Sequence, residues 1–346
     1  MREFTLDIVK NKLIKIGKWL GLILIIIISI FLLYKVGTFL KNVFFPPKMP
    51  PPEAKFGKLP NIFFPEGIKK DFKYEIDTLT GDLPQFSNRA NVYKTIQPEP
   101  DILAVEKADT KIKSFGFTIG PEQLSETVYR WRSEDSLNKN LVVSVKIPEF
   151  NLSSSFLTNP DILSARNLPT EDESILIAKS FISFLGYFPE DIDDERTITQ
   201  LLDIQNGVIT PAISFSRAKL INILFFQKDK DNLPIVYPQA GQSSMSFTVG
   251  ADSEEVDGRF FYQKLSDEGS DYSIKSAEEA LADLKNGKAF INAHTGDNLN
   301  IKIKDVYLGY YIEGREQRYL TPIIVFEGSS GFSAYVPAVK DEWFDM

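Results

Sequence analysis

Apolar positions follow three different rhythms along this chain. From Trp19 to Tyr34 they are continuous, WLGLILIIIISIFLLY, and between Leu22 and Phe31 only Ser29 breaks the run. No face of a helix built from this stretch is hydrophilic, which argues against a surface or core helix and predicts a membrane span. Sixteen residues at ~1.5 Å each cover about 24 Å, somewhat less than a hydrocarbon core of ~30 Å. The stems of Lys18 and Lys35 can snorkel, and Val36, Gly37, Phe39 and Leu40 can continue the helix, so the predicted transmembrane segment is 19–40. Trp19 and Tyr34 stand where amphipathic rings favour the headgroup level. Lys18, Trp19, Tyr34 and Lys35 are therefore the expected membrane-interface anchors.

The second rhythm is helical and occurs three times. Ala104, Ala108, Ile112 and Phe115 share one face, with Asp101 as the expected cap and Gly116 as the stop. Ile175, Ala178, Phe181, Ile182 and Leu185 share another, behind a capping box at Thr170–Glu173 and ahead of Gly186. Ala280, Leu281 and Leu284 follow a second capping box at Ser276–Glu279 and end at Gly287.

The third rhythm is alternation, which predicts strands. Phe72–Thr78 reads as a strand, with Val92–Lys94 as its expected partner. Thr127–Arg132 and Leu141–Lys146 read as a hairpin. Further strands are predicted at Gly207–Thr210, Ala212–Gln227, Pro234–Tyr237, Met245–Gly250 and Val256–Lys264. The last four are Ala289–Ala293, Ile301–Ile312, Tyr319–Glu327 and Phe332–Ala338.

One helix followed by several antiparallel strands, read three times, predicts an α+β fold of repeated helix-plus-meander units. The expected divisions are a cytoplasmic N-terminus (1–18), the transmembrane helix (19–40), a proline-rich linker (41–66) and exported units at 67–160, 161–270 and 271–346. Phe44–Pro60 is rich in proline and lacks any period, so it reads as an extended spacer.

Charge orients the chain. Residues 1–48 carry a net +6, so the remainder carries −14 against −8 for the whole. Arg2, Lys10, Lys12, Lys15 and Lys18 precede the span, which favours a cytoplasmic N-terminus with an extracytoplasmic body. No A-x-A site follows Tyr34, and a retained anchor is expected rather than a cleaved signal. An acidic body repels nucleic acid, and none is expected as a partner. The span has no G-x-x-x-G, which favours a monomer or a heteromeric complex over a helix-driven dimer. Cysteine is absent, which excludes disulfides, thiolate catalysis and cysteine-based metal sites.

The helix-then-meander layout carries a family resemblance, together with Tyr74-Glu75-Ile76-Asp77-Thr78-Leu79-Thr80-Gly81 and the tail Val306–Tyr311 with Tyr319–Phe326. The chain resembles the YycH/YycI group and PepSY-like modules, with any specificity over about the last 75 residues. The resemblance implies a membrane-anchored regulator of a sensor kinase and transfers no catalytic residue.

Candidate chemistry is sparse. His294 is the single histidine; any Ser–His–Asp triad would need it, but no G-x-S-x-G accompanies it, and it reads as a turn residue. The acidic runs Asp191–Glu195, Asp229–Asn232 and Asp252–Asp257 lack the spacing of a calcium loop and read as solvated loops. No phosphate loop is present. The aromatics from Tyr307 to Phe344 read mainly as core, with Trp343 and Phe344 expected to be exposed. The expected function is a non-enzymatic envelope regulator or scaffold, with the bilayer and a protein as partners and no cofactor, metal or small-molecule ligand. The alternative is an envelope hydrolase using paired carboxylates on glycan or peptide.

Overall fold

The computed structural model describes residues 18–19, 27–38, 40, 50–99, 101–135, 137–164 and 167–345. Contacts divide the chain into two compact units, Met1–Pro51 and Pro52–Met346. In the first, residues 18–19, 27–38 and 40 are helical, and Trp19 and Tyr34 are 70% and 69% exposed. Lys35 places its Nζ 5.7 Å from the centre of the Phe31 ring. No helix among the described residues is long and apolar enough to cross a membrane. Residues 20–26 of the apolar stretch lie outside the described residues, as do residues 1–17 of the expected cytoplasmic segment.

The second unit is mixed α+β and mostly sheet. Its strands are β1 (Lys73–Ile76), β2 (Arg89–Thr95), β3 (Ile119–Gln123), β4 (Val128–Arg132), β5 (Asn140–Ser144) and β6 (Glu149–Ser153). There follow β7 (Ile198–Gln205), β8 (Val208–Pro211), β9 (Leu220–Phe225), β10 (Ile235–Val236), β11 (Met245–Val249) and β12 (Glu255–Phe261). The last five are β13 (Leu265–Ser273), β14 (Phe290–Ala293), β15 (Asn300–Tyr311), β16 (Tyr319–Gly328) and β17 (Phe332–Pro337). The helices are α1 (Ala104–Ser114), α2 (Pro160–Ser164), α3 (Glu171–Leu185) and α4 (Ala277–Lys285).

The three long helices lie where the helical rhythm placed them, because their ends are written locally. Thr170 and Ser276 each accept the N3 amide, while Glu173 and Glu279 reach back to the cap amide. Gly116, Gly186 and Gly287 all hold positive φ at the helix ends, where a Cβ would be strained. The cap of α1 differs from expectation. Its N-cap is Leu103, and the Asp101 carboxylate instead accepts the Leu103 amide at 2.9 Å and Lys107 Nζ at 2.7 Å.

Two sheets form. One has nine strands in the order β3-β4-β5-β6-β12-β11-β9-β7-β8. α1 precedes the meander β3–β6, α3 precedes the meander that ends in β12, and β6 pairs antiparallel with β12. The two meanders thus fuse into one sheet. Phe181 of α3 meets Phe150 at 5.6 Å and Phe247 at 5.1 Å between ring centres, and Trp131 donates its indole N–H to Asp109 of α1 at 2.9 Å. The second sheet has eight strands, with β1-β15-β16-β17-β14 as its main path, and α4 buries Ala277, Ala280 and Leu284 against it. The sheets share a core: Tyr93, Ile235 and Tyr310 of one cluster with Phe225 and Phe247 of the other and with Phe181 of α3.

Strand pairing crosses the expected unit boundaries at 160/161 and 270/271. The stretch 67–160 gives β1 and β2 to the eight-stranded sheet and β3–β6 to the nine-stranded one. β1 does not pair with β2. It runs parallel to β15, with Lys73 opposite Asn300, and β2 pairs with β13 and β16.

The proline-rich linker is also corrected in part. From Glu53 onward it is a docked strap. Its amides donate to the second sheet: Glu53 to Asp271 Oδ1 (2.8 Å), Ala54 to Asp271 O (3.1 Å) and Lys55 to Ser270 Oγ (2.9 Å). Leu59 donates to Trp343 O at 2.7 Å and accepts from Asp345 N at 2.9 Å. Prolines remove donors from this segment, and the amides of Glu53, Ala54, Lys55, Phe56 and Leu59 are satisfied by the body.

Asp271 gives the strap a pH dependence. The Glu53 amide and the Arg89 guanidinium beside it hold its carboxyl below the usual range. A depressed folded value means stability that is full above the unfolded value of about 3.9 and lost as pH falls through the lower folded value. Acid titration of Trp343 fluorescence should therefore show strap loosening below about pH 4, a component that Asp271→Asn lacks. An unchanged titration in the variant would contradict this anchor.

Candidate functional site

On the nine-stranded sheet, the face opposite α1 and α3 is polar because strands alternate. Trp131, Leu141, Phe150 and Phe260 point to the helices, so Arg130, Val142, Asn151 and Arg259 point away. Register sets these four in one cross-strand row, continued by Ser246. Next to it, Glu149 stands opposite Phe261.

At this row the two sheets meet around a cleft of about 660 Å³. Its floor is formed by Val128, Val142, Glu149, Asn151, Arg259 and Phe261. One wall is the loop 237–244, the second is edge strand β14, and the third is the strap at Pro65–Ile68. The walls are fastened to each other. Tyr335 of β17 donates its hydroxyl to Tyr237 O at 3.1 Å, and Asn292 of β14 donates to Pro238 O at 3.2 Å. Ile68 donates its amide to Ile291 O at 2.8 Å. Gly67 lies so near β14 that a Cβ there would stand 3.0 Å from Ile291 O, a tight approach that glycine makes without displacing its neighbours.

Polar groups on the floor are not spoken for. Among the described residues, Arg259 makes no ion pair and no side-chain hydrogen bond, and neither does Asn151. Both side chains are exposed to the cleft. Desolvation raises the Glu149 carboxyl although the residue as a whole is exposed, because the cleft walls displace its water. Burial likewise raises the neighbouring Asp257 carboxyl, against the opposing pull of Arg259. Glu66, the other carboxylate on the lining, pairs with Lys69 at 3.1 Å on a solvated turn.

The residues singled out from sequence lie elsewhere. Lys18, Trp19, Tyr34 and Lys35 belong to the first unit. His294 follows β14 and packs its ring edge-on to Phe72 at 4.9 Å. Both of its nitrogens are buried without a hydrogen-bond partner, so it is not a solvated turn residue. An orphaned buried donor or acceptor costs about 1–3 kcal/mol. His294→Phe is therefore expected to raise the urea midpoint, by about 1 kcal/mol of stability, and a lowered midpoint would show that the imidazole is used.

The acidic runs are more engaged than solvated loops. Asp231 accepts the Tyr93 hydroxyl at 2.7 Å and the Tyr310 hydroxyl at 3.2 Å. Glu254 and Glu255 lie 2.6 and 3.5 Å from the Lys139 ammonium, whose side chain is 10% exposed. Asp191 accepts from Gln227 at 2.9 Å. These carboxylates are consumed by structure, and no group of three or more metal-ligating residues occurs among the described residues. Trp343 and Phe344 are not exposed as expected. Phe344 is 8% exposed beneath the strap, and Trp343 donates to Ser273 Oγ at 2.8 Å. Sequence reasoning passed over Arg259 and Asn151, because β6 was not read as a strand and β12 was read without its neighbours.

No family model matches the chain, and no curated protein matches it. Solved structures give weak likenesses. One is an uncharacterized protein from Eubacterium rectale ATCC 33656, 10% identical, with 77% of this chain and 86% of that one covered and a TM-score of 0.41. Another is the YpeB C-terminal domain of Bacillus megaterium, 12% identical, with 71% and 96% covered and a TM-score of 0.31. That domain is as far as the comparisons bear on the PepSY-like expectation, and none bears on its YycH/YycI part. At these TM-scores neither likeness carries an argument about fold or function.

Proposed function

We propose that this protein is a non-enzymatic, membrane-anchored binding protein of the cell envelope, a regulator or scaffold whose body engages a partner through the cleft between its sheets. The observation that carries the reading is the third wall of that cleft. Pro65–Ile68 belongs to the strap that lies between the apolar N-terminal stretch and β1 in sequence, so this wall of the site stands in the segment leading from the proposed anchor to the body. The lining supports binding more than hydrolysis. It combines apolar side chains, amide side chains and an unpaired guanidinium, while its two carboxylates differ in setting, one desolvated and one solvated and paired. The continuous apolar run Trp19–Tyr34 supports the anchor, and the charge of residues 1–48 supports an extracytoplasmic body.

The reading is tested by proximity capture from native membranes, comparing the full chain with one whose 19–40 segment is replaced by an unrelated membrane helix. A reproducible partner supports the binding reading. Loss of that partner on the swap assigns recognition to the membrane helix, and retention assigns it to the body. Absence of any partner, with turnover of glycan or peptide abolished by Glu149→Gln, would overturn it in favour of the hydrolase.

A further inference from the structure

Arg259 is an unpaired guanidinium on a body whose net charge is strongly negative. Register sets Asn151 directly opposite it on β6, and side chains paired across strands this way lie about 5 Å apart at Cβ. One carboxylate can therefore take two parallel N–H bonds from the guanidinium and a third from the Asn151 amide. Among the described residues no carboxylate lies within ion-pair distance of Arg259; Asp257, two residues along the same face, attracts it from further away. Around this polar pair the lining is apolar: Val128, Val142 and Ile291 with Phe261 and Phe290. The one tyrosine on the lining, Tyr237, is buried with its carbonyl and hydroxyl both hydrogen-bonded, so its polar groups are not free for a ligand. Branched pockets beside amide donors and acceptors fit the side chains and backbone of a peptide.

We propose that the cleft binds an extended peptide segment with apolar side chains and a single carboxylate, which docks on Arg259 and Asn151. This rests on the binding reading above and names its ligand class. The acidic body sets the limit of one carboxylate: a run of acidic residues would be repelled at long range before the local contact could form. The strap forms part of the wall, so an occupied cleft also holds Ile68 against Ile291.

The test uses the full chain in detergent micelles, screened against random heptapeptide libraries in two formats, one with free and one with blocked C-termini. Wild type is expected to enrich apolar sequences with one Asp or Glu in both formats, or, if the carboxylate is terminal, apolar sequences in the free format alone. Arg259→Glu should abolish that enrichment and favour Lys or Arg at the same position. Asn151→Ala should weaken the enriched peptide about tenfold, the loss expected for one charge-assisted hydrogen bond. Both side chains are exposed, so unchanged melting temperatures are expected to confirm that the variants fold. Bound peptide should slow hydrogen exchange at the Ile68 amide. No enrichment, or enrichment that Arg259→Glu leaves unchanged, overturns the proposal. If partner capture from membranes survives Arg259→Glu in that case, the binding reading stands and only the cleft assignment falls.

Discussion

Phe181→Ala is expected to cost about 3–5 kcal/mol of unfolding free energy, measured by urea denaturation of the 52–346 unit. Phe181 is 1% exposed in the middle of α3. Its ring meets Phe115 at 5.2 Å, Phe247 at 5.1 Å and Phe150 at 5.6 Å between centres, so it touches the end of α1 and both meanders of the nine-stranded sheet. Truncation removes the transfer free energy of the ring and leaves a cavity that three other rings cannot all move to fill. Such a loss is a large fraction of the ~5–15 kcal/mol that holds a typical domain together. The effect should appear in stability and not in helix formation, because the caps of α3 lie outside the cavity. A loss under about 1 kcal/mol would show that α3 does not seal the sheet in this way.

Leu59→Ala is expected to cost about 2–4 kcal/mol, although Leu59 lies in a segment that reads as a spacer. A leucine in a solvated spacer would cost nothing on truncation. This one is 1% exposed, and its backbone exchanges hydrogen bonds with Trp343 and Asp345. It belongs to the same buried cluster as Tyr272, Ile274 and Phe344. The variant should also expose Trp343, seen as a red shift in its emission, because the strap covers that corner of the body. Full stability with an unshifted spectrum would mean that the strap is undocked in solution. The cleft would then lose its third wall.

Local signals made the helices legible. Thr170 with Glu173, Ser276 with Glu279, and the glycines at 116, 186 and 287 act within one turn of their own helix, so their meaning does not depend on the rest of the chain. The apolar-rich strands β15–β17 were legible from their own segments as well. Four strands were missed. β3 is IGPEQ and β13 is LSDEGSDYS, too polar or too interrupted to alternate clearly. β6 is short, with Phe150 and Leu152 as its buried pair. β7, ITQLLDIQ, is half-buried along nearly its whole length, which blurs its period.

By itself the sequence determined the three long helices, most of the strands, the β4–β5 hairpin, the acidic character of the body and the apolar N-terminal stretch. The tertiary structure alone decided which distant strands pair. β1 finds β15 more than two hundred residues away, β6 finds β12, and the strap finds Asp271 and Trp343. A strand exposes the same backbone donors and acceptors whatever its sequence, so its partner is chosen by side-chain packing across long loops and not by any short-range signal. The cleft follows from those pairings. Arg259 and Asn151 are ordinary polar positions on alternating strands until the β6–β12 register sets them side by side under the strap.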